Sequence, residues 1–451
     1  MFDIGIIGAG PAGYTAAIKA SQKGLSVVLF EKEHIGGTCL NRGCIPTKTI
    51  LHCAKLYKEL QNTAKFGISA ENINFDFSKV QERQRTVAEK IRKSLTGLIK
   101  SYGINIIEGK ALIESEHIIK CEGQDYEVKN IIIASGSKPN NIRFNGNYPE
   151  GFVLTSDDVL NMKKLPESIL IVGSGAIGIE WARILNSFGV KVFIIEMMEK
   201  LIPSADIDVS DRVVRMFKKS RIEFYTSTTI ESIDGKQVKL SNEKIIEPDC
   251  ILLGAGRKIE TDFGEFSKNL KIEKSIDIND NFRTNMNNIY AIGDVNGISM
   301  LAHAASRQAE NVVDYIVSGI KHKFDRNLVP SVIYGSPEIA SIGKTECQLQ
   351  GEDISYKKSF FPISALGKAY AEDKIEGFVK ILASDDEILG AHIISEEASA
   401  MIEQIAIAMQ NKISPKNICE TIFAHPSYSE GILESLLALD NNSTYLPKVN
   451  L

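Results

Sequence analysis

The chain has 451 residues, 43% hydrophobic and 24% charged, with a formal net charge of −5. At roughly 100–200 residues per domain this points to about two to four domains with sizeable cores. The acidic balance argues against a nucleic-acid partner, which calls for a basic patch, and no apolar run approaches the about 20 residues of a membrane helix.

The strand pattern begins at Phe2 or Asp3, which leaves no room for a leader peptide ahead of it, so a cytoplasmic location is expected. An apolar run, Ile4 to Ile7, leads into Gly8-Ala9-Gly10-Pro11-Ala12-Gly13. A helix-permissive stretch follows, then a second apolar run from Val27 to Phe30, closed by Glu31. This is the strand–glycine turn–helix–strand order that a dinucleotide fingerprint requires.

Next comes "GGTCLNRGCIPTK", Gly36 to Lys48, which holds Cys39 and Cys44. With no Cys/His cluster nearby, the spacing suits zinc poorly, and a static disulfide is not expected in a cytoplasmic chain. The glycines before the pair and Pro46 after it suggest a distorted helix start. Such a start lowers a thiol pKa, and Lys48 adds positive charge one turn beyond Cys44. Local features leave a cycling thiol pair and an inert pair both open. Arg42, inside the loop, has no evident task. Cys53, Cys121, Cys250, Cys347 and Cys419 are scattered and read as small buried hydrophobes.

Val80 to Leu98 reads as an amphipathic helix whose stripe of Val87, Ile91, Leu95 and Leu98 covers a core. "NIIIASGSKPN" is a buried strand with a Gly/Pro turn. Ile169 to Val172 then opens a second copy of the first unit, with Gly173, Gly175 and Gly178 repeating the glycines and Glu196 closing Val192 to Ile195. Glu31 and Glu196 stand equally far beyond Gly8 and Gly173. Two copies with matched acids point to two dinucleotide sites. Each turn sets a helix N-terminus against a pyrophosphate, and each acid stands where a ribose 2′-hydroxyl would be. Glu196 therefore favours NAD over NADP in the second site, and two such units suggest one tightly held flavin dinucleotide and one exchangeable nicotinamide, in an order that the spacing leaves open. Beside two such units, a cycling thiol pair becomes the favoured reading of Cys39 and Cys44.

"CILLGAGRKIET" repeats the strand-and-turn pattern, and "NIYAIGDVNG" ends a strand at Asp294, a candidate for holding a flavin ribityl or pyrophosphate region. The helix near Leu301 could place its N-terminus against a flavin ring. From about Pro330 a separate α+β pattern begins. Within it, "AHPSYSE" sets His425 five residues before Glu430, a pairing that suits general acid–base work. "NNST", opened by Asn441 and Asn442, reads as a chance glycosylation match.

Taken together, "GGTCLNRGCIPTK", "GSGAIGIE", "MLAHAASRQAEN" and "HPSYSE" resemble the flavin-dependent pyridine nucleotide–disulfide oxidoreductases from Met1 to about Leu436. Ile45-Pro46-Thr47-Lys48, and Ala176 where glutathione-reducing members carry a tyrosine, resemble the members that oxidise dihydrolipoamide. The resemblance implies an α/β fold with two Rossmann-type dinucleotide-binding domains plus a C-terminal α+β dimerisation domain. The divisions expected are 1–145 for FAD, 146–264 for NAD, 265–330 completing the FAD domain, and 331–451 for dimerisation. It also implies a homodimer with the active site at the interface, serving a lipoyl-bearing protein of a multienzyme complex. Cys39 would be the interchange thiol, Cys44 the flavin-side thiol, and Lys48 and Glu180 a pair near the flavin. Gly37, Thr38, Ser135, Gly136, Leu301, Ala302 and His303 would line FAD, and Gly256 would line a nucleotide. His425, oriented by Glu430, would act as base from the partner subunit. The alternative is an NAD(P)H-dependent reductase of another disulfide. "ASG", "GAGRKIET" and Tyr428 depart from the usual pattern, and Tyr428 is expected beside the substrate channel, where it would bear on the preferred acceptor.

Overall fold

The computed structural model describes residues 1–447; residues 448–451, the end of the expected C-terminal domain, lie outside the described residues. In the first parallel sheet, β1 (Phe2–Ile7) lies between β2 (Val27–Glu31) and the strand Gln124–Ile133, with β3 (Asn105–Glu108) outside β2. In the second, Ser168–Val172 lies between Lys191–Ile195 and Cys250–Leu253, with Glu223–Tyr225 outside. The registers correspond. Ile4 faces Val27 and Asn130, and Ile169 faces Val192 and Cys250. Val27 to Phe30 and Ile169 to Ile171 are buried throughout, as expected of parallel strands covered on both faces.

The helices after the two glycine turns are α1 (Pro11–Gln22) and Ala176–Ser187. Only glycine fits at their closest approach to the strand, since a Cβ on Gly13 would meet the Gly8 carbonyl oxygen at 1.8 Å and one on Gly178 that of Gly173 at 2.0 Å. The buried alanines of α1 (Ala12, Ala16, Ala17 and Ala20) pack against Ala305 and Ala309 of the helix Ala302–Ser318. The strand Ile289–Ala291 returns to the first sheet and pairs in parallel with Ile131 to Ile133. An antiparallel ribbon, Ser137–Pro139 on Arg257–Ile259, marks where the chain leaves the first sheet and comes back. The last unit is an antiparallel sheet in the order 331–333, 338–343, 388–395, 378–383, 357–362, with the helices Ala398–Gln410 and Glu430–Ala438 packed on it. Among the described residues no helix is long and apolar enough to cross a membrane.

Two expectations need correction. The predicted helix is longer, α4 (Phe77–Ser101), capped by Asp76, and only part of its apolar stripe faces inward: Leu95 packs against the core, while Ile91 is 40% exposed and Leu98 47%. The inner face carries Phe77, Gln81, Gln84, Ala88 and Ile99. Two glutamines can face inward because Gln84 donates to Gln81 (3.2 Å) and to the Leu160 carbonyl (3.3 Å), which satisfies their buried polar groups. Of the scattered cysteines only Cys121 and Cys250 are buried, and Cys347 is exposed. Tyr428 lies in the hydrophobic core of the last unit, its hydroxyl donating to Glu372 at 3.2 Å. Its side chain is 1% exposed, so within the protomer it packs inward.

Candidate active site

The redox stretch folds as two helices, α2 (Gly37–Arg42) and α3 (Cys44–Leu60), broken at Gly43. Cys39 rides on α2, and Cys44 is the first residue of the 17-residue α3. Pro46 is tolerated there because a first-turn N–H has no partner within the helix. The position favours a thiolate at Cys44. Cys44 is held below the usual thiol range by the hydrogen bond it receives from Cys39 and, against the opposing effect of burial, by the charge of Lys48. Cys39 is pushed up, first by that shared hydrogen bond and then by burial. In the reduced pair the negative charge sits on Cys44 and the proton on Cys39.

Lys48, one turn along α3, donates to both oxygens of Glu180 at 2.9 and 2.8 Å. Glu180 lies on the second unit's helix and is buried. It also accepts the Tyr334 N–H at 3.0 Å, and the Lys48 ammonium sits 4.6 Å from the centre of the Tyr334 ring. The pair expected from resemblance therefore forms in this chain. Tyr334 was not foreseen, because nothing local ties it to residues so far back in the chain. Arg42 now has an account: its Nη2 lies 2.6 Å from Glu33 and its Nε 3.6 Å from Asp157, which braces α2 from behind.

The two acids match atom for atom. Glu31 accepts the N–H of Ala9 (2.8 Å) and Glu33 (2.8 Å), while Glu196 accepts those of Ser174 (2.9 Å) and Met198 (3.0 Å). Each carboxylate is thus pinned beside its glycine turn, and a carboxylate so engaged keeps lone pairs for a further donor. Gly8 and Gly173 take φ of +99° and +98°. Gly10 and Gly175 cap α1 and Ala176–Ser187 with no side chain over the helix end, so the first N–H groups stay open to an anion. Gly37 approaches Gly10 so closely that a Cβ would meet its Cα at 2.7 Å, and a cleft of about 740 Å³ opens beside Glu31 and Gly37. Thr38 follows Gly37 on α2. These features fit two dinucleotides.

Asp294, in the turn after Ile289–Ala291, accepts the Ser137 hydroxyl at 2.5 Å, and Ser137 is held in turn by Arg257 (2.7 Å). Ser137 and Arg257 also escaped the sequence; the ribbon between the sheets brings them together. Ser135 donates to the Glu260 carbonyl (2.7 Å), while Gly136 and Gly256 take positive φ at the two turns of that ribbon. Leu301 caps the helix Ala302–Ser318 without a side-chain bond, and the His303 ring meets the Pro330 carbonyl at 2.8 Å.

His425 Nδ1 lies 2.8 Å from Glu430, whose other oxygen accepts the Ser427 N–H at 2.8 Å. Glu430 opens the helix Glu430–Ala438, where its charge suits the helix N-terminus. The His425 side chain is 69% exposed and, among the described residues, has no hydrogen bond to either cysteine of the same chain.

The family model for pyridine nucleotide-disulphide oxidoreductases matches residues 2–309, and the model for the dimerisation domain of those enzymes matches 329–436. Curated relatives include dihydrolipoyl dehydrogenase of Bacillus subtilis, 36% identical over 98% of this chain and 99% of that protein. The mitochondrial dihydrolipoyl dehydrogenase of Pisum sativum is 34% identical over 97% of this chain and 91% of that protein. Among solved structures, LpdA from Mycobacterium tuberculosis shares the fold with a TM-score of 0.91 at 24% identity, covering 97% of this chain and all of that one. The HOCl-induced flavoprotein disulfide reductase RclA from Escherichia coli follows with a TM-score of 0.86 at 25% identity, covering 96% of this chain and 99% of that one. With these matches spanning both nucleotide units and the last sheet, the chain belongs to the pyridine nucleotide-disulphide oxidoreductases.

Proposed function

We propose that this oxidoreductase oxidises protein-bound dihydrolipoyl groups and reduces NAD, as a homodimer serving a lipoyl-bearing protein of a multienzyme complex. The observation that carries this reading is the Cys39–Cys44 pair, asymmetric in its proton and backed by Lys48 and Glu180, between two glycine turns. The curated relatives named dihydrolipoyl dehydrogenase support the substrate, and the family dimerisation domain supports the homodimer. A cytoplasmic site of action goes with it, where NAD and a reduced dithiol substrate are both at hand.

FAD and NAD are the cofactors of this family. Gly8, Gly10, Gly13, Glu31, Gly37, Thr38, Ser135, Gly136 and Asp294 would hold FAD, with Leu301, Ala302 and His303 at its ring end. Gly173, Gly175, Gly178, Glu196 and Gly256 would hold NAD. We divide the chain as 1–145 and 265–330 for FAD, 146–264 for NAD and 331–451 for dimerisation; the sheet pairing of Ile289–Ala291 supports the split first unit.

The partner subunit's His425, its Nδ1 engaged by Glu430, takes a proton from one substrate thiol at Nε2. That sulfur attacks Cys39 of the Cys39–Cys44 disulfide, forming a mixed disulfide and releasing Cys44 as a thiolate beside Lys48. The second substrate thiol, losing its proton to solvent, closes the lipoyl ring and releases Cys39, which takes the proton from His425. FAD, when bound, supplies the two-electron passage from this dithiol to NAD. On this chain the disulfide would re-form as Cys39 gives up its proton and the pair gives up two electrons, together the equivalent of one hydride.

The deciding experiment compares turnover with NAD plus dihydrolipoamide against NADPH plus glutathione disulfide. A preference for the second pair overturns the reading, and so does a Cys44→Ser variant that retains full dihydrolipoamide oxidation.

A further inference from the structure

Behind the Lys48–Glu180 pair lies a second cation to which nothing so far assigns a task. Arg183 sits one helical turn beyond Glu180 on Ala176–Ser187. Its Nη1 donates to the Pro337 carbonyl at 2.6 Å, while its Nη2 is shielded from solvent and, among the described residues, has no partner. Every residue of the stretch 334–337 is engaged around it. The Tyr334 N–H goes to Glu180 (3.0 Å), and Gly335 lies so close that a Cβ there would meet Arg183 Nη1 at 2.1 Å. The Ser336 hydroxyl goes to Glu396 (2.9 Å), which also pairs with Lys55 of α3, and the Pro337 carbonyl accepts from Arg183 itself. An enclosed guanidinium is costly unless it is compensated, so placing one here needs a return.

We propose that Arg183 is a positioning residue for the redox centre, pinning the stretch 334–337 so that Tyr334 and Glu180 hold the Lys48 ammonium beside Cys44. The inference rests on the redox reading of Cys39 and Cys44 and adds a residue to it.

The charges support it. Burial lowers Arg183 to about 10, and Glu180 and Glu396 pull the other way, so it stays charged at neutral pH. The groups that face Cys44 are Cys39 from α2, Lys48 from α3, Glu180 from the second unit, Tyr14 from α1 and Tyr334. Of these only Lys48 carries a positive charge. Arg183 offsets the field of Glu180, which disfavours the thiolate, and it keeps Lys48 from following Glu180 out of place. Losing Arg183 therefore raises the pH at which the pair yields a thiolate.

The test is the pH profile of iodoacetamide labelling of NADH-reduced holoenzyme, with label at Cys39 and Cys44 read by peptide mass and the inflection assigned to the pair. R183M is expected to move the inflection up by roughly half a unit to one unit, and R183K to return it toward the parent. A merely structural Arg183 would lower the melting temperature of R183M and leave the inflection alone, which overturns the proposal. If R183M does not fold, R183Q against R183K decides the matter in the same way, equal inflections overturning it. Failure of the redox reading itself looks different: in the parent, NADH would then leave the labelling of both cysteines unchanged.

Discussion

Glu196 offers the sharpest test of how a residue can serve the fold and a ligand together. Its carboxylate accepts the Ser174 N–H, the Ser174 hydroxyl (2.8 Å) and the Met198 N–H. In Glu196→Ala these three donors lose their acceptor, but not at equal cost. The Ser174 hydroxyl still accepts from the Ile202 N–H at 3.0 Å and can turn, and Met198 is exposed enough for water to reach its N–H. Only the Ser174 N–H, in a fully buried residue, is stranded. A stranded buried donor costs about 1–3 kcal/mol, so we expect a loss of about 2 kcal/mol in denaturant titration with the m-value unchanged. Glu196→Gln, which keeps one acceptor oxygen, should lose about half as much. If the acid also takes the NAD ribose hydroxyl, a hydrogen bond to a charged acceptor is lost as well. That is about 1.5–3 kcal/mol, or a rise of about 10- to 140-fold in KM for NAD, while NADP use rises relative to NAD. Steady-state kinetics with both nucleotides reads this directly. An alanine variant that is less stable by the expected amount but keeps the parent ratio of NAD to NADP use would make Glu196 a structural brace alone and refute the ribose assignment.

Other expectations follow from the same geometry. Lys48→Met removes the cation that favours the Cys44 thiolate, so the labelling inflection of the reduced pair should rise; a fall or no change would mean that the Cys39 hydrogen bond alone sets the thiolate. His425→Gln should reduce dihydrolipoamide oxidation by about 10²- to 10⁴-fold, the usual range for a general base, and Glu430→Gln by less, since it keeps a hydrogen-bond acceptor for the ring. Parent-like turnover in His425→Gln would remove the base from this site. Lys380, 1% exposed, reaches Asp206 and Asp208 of the second unit and Glu346 of the last at 2.6–2.7 Å. Lys380→Met should cost about 3–5 kcal/mol, the range for breaking a buried pair, measured by denaturation at neutral pH. Burial would raise the Glu346 carboxyl, but Lys358, Lys380 and Tyr356 hold it down to about 2. Its contribution is therefore complete above its ordinary value of 4.5 and is lost as the pH falls toward about 2. The parent should lose stability across that window more steeply than Lys380→Met, and parallel curves would contradict the assignment.

Much was legible in the chain because its signals are local. A glycine turn between strand and helix is written in consecutive residues, and so are the acid that closes the second strand, the two cysteines around Gly43 and the His425–Glu430 pair. Each depends on backbone geometry over one or two turns, so spacing suffices. The stripe on α4 misled because periodicity marks an apolar face without saying which neighbour covers it. Gln81 and Gln84 turned inward to carbonyls of 159–160 that no local pattern reveals. Tyr428 shows the same limit, since its place in a motif says nothing of the core it fills.

The sequence by itself determined the two nucleotide units, the dithiol and the chemistry available to it, since these are properties of neighbouring residues and of the backbone they impose. Only the tertiary structure decided which further distant groups join Lys48 and the Glu180 that resemblance already paired with it: Arg183 from the second unit, Tyr334 and Pro337 ahead of the last sheet, Glu33 and Asp157 behind Arg42. Charge acts through space, and the partners that set a thiolate or hold a lysine are chosen by the packing of three units whose contacts span most of the chain.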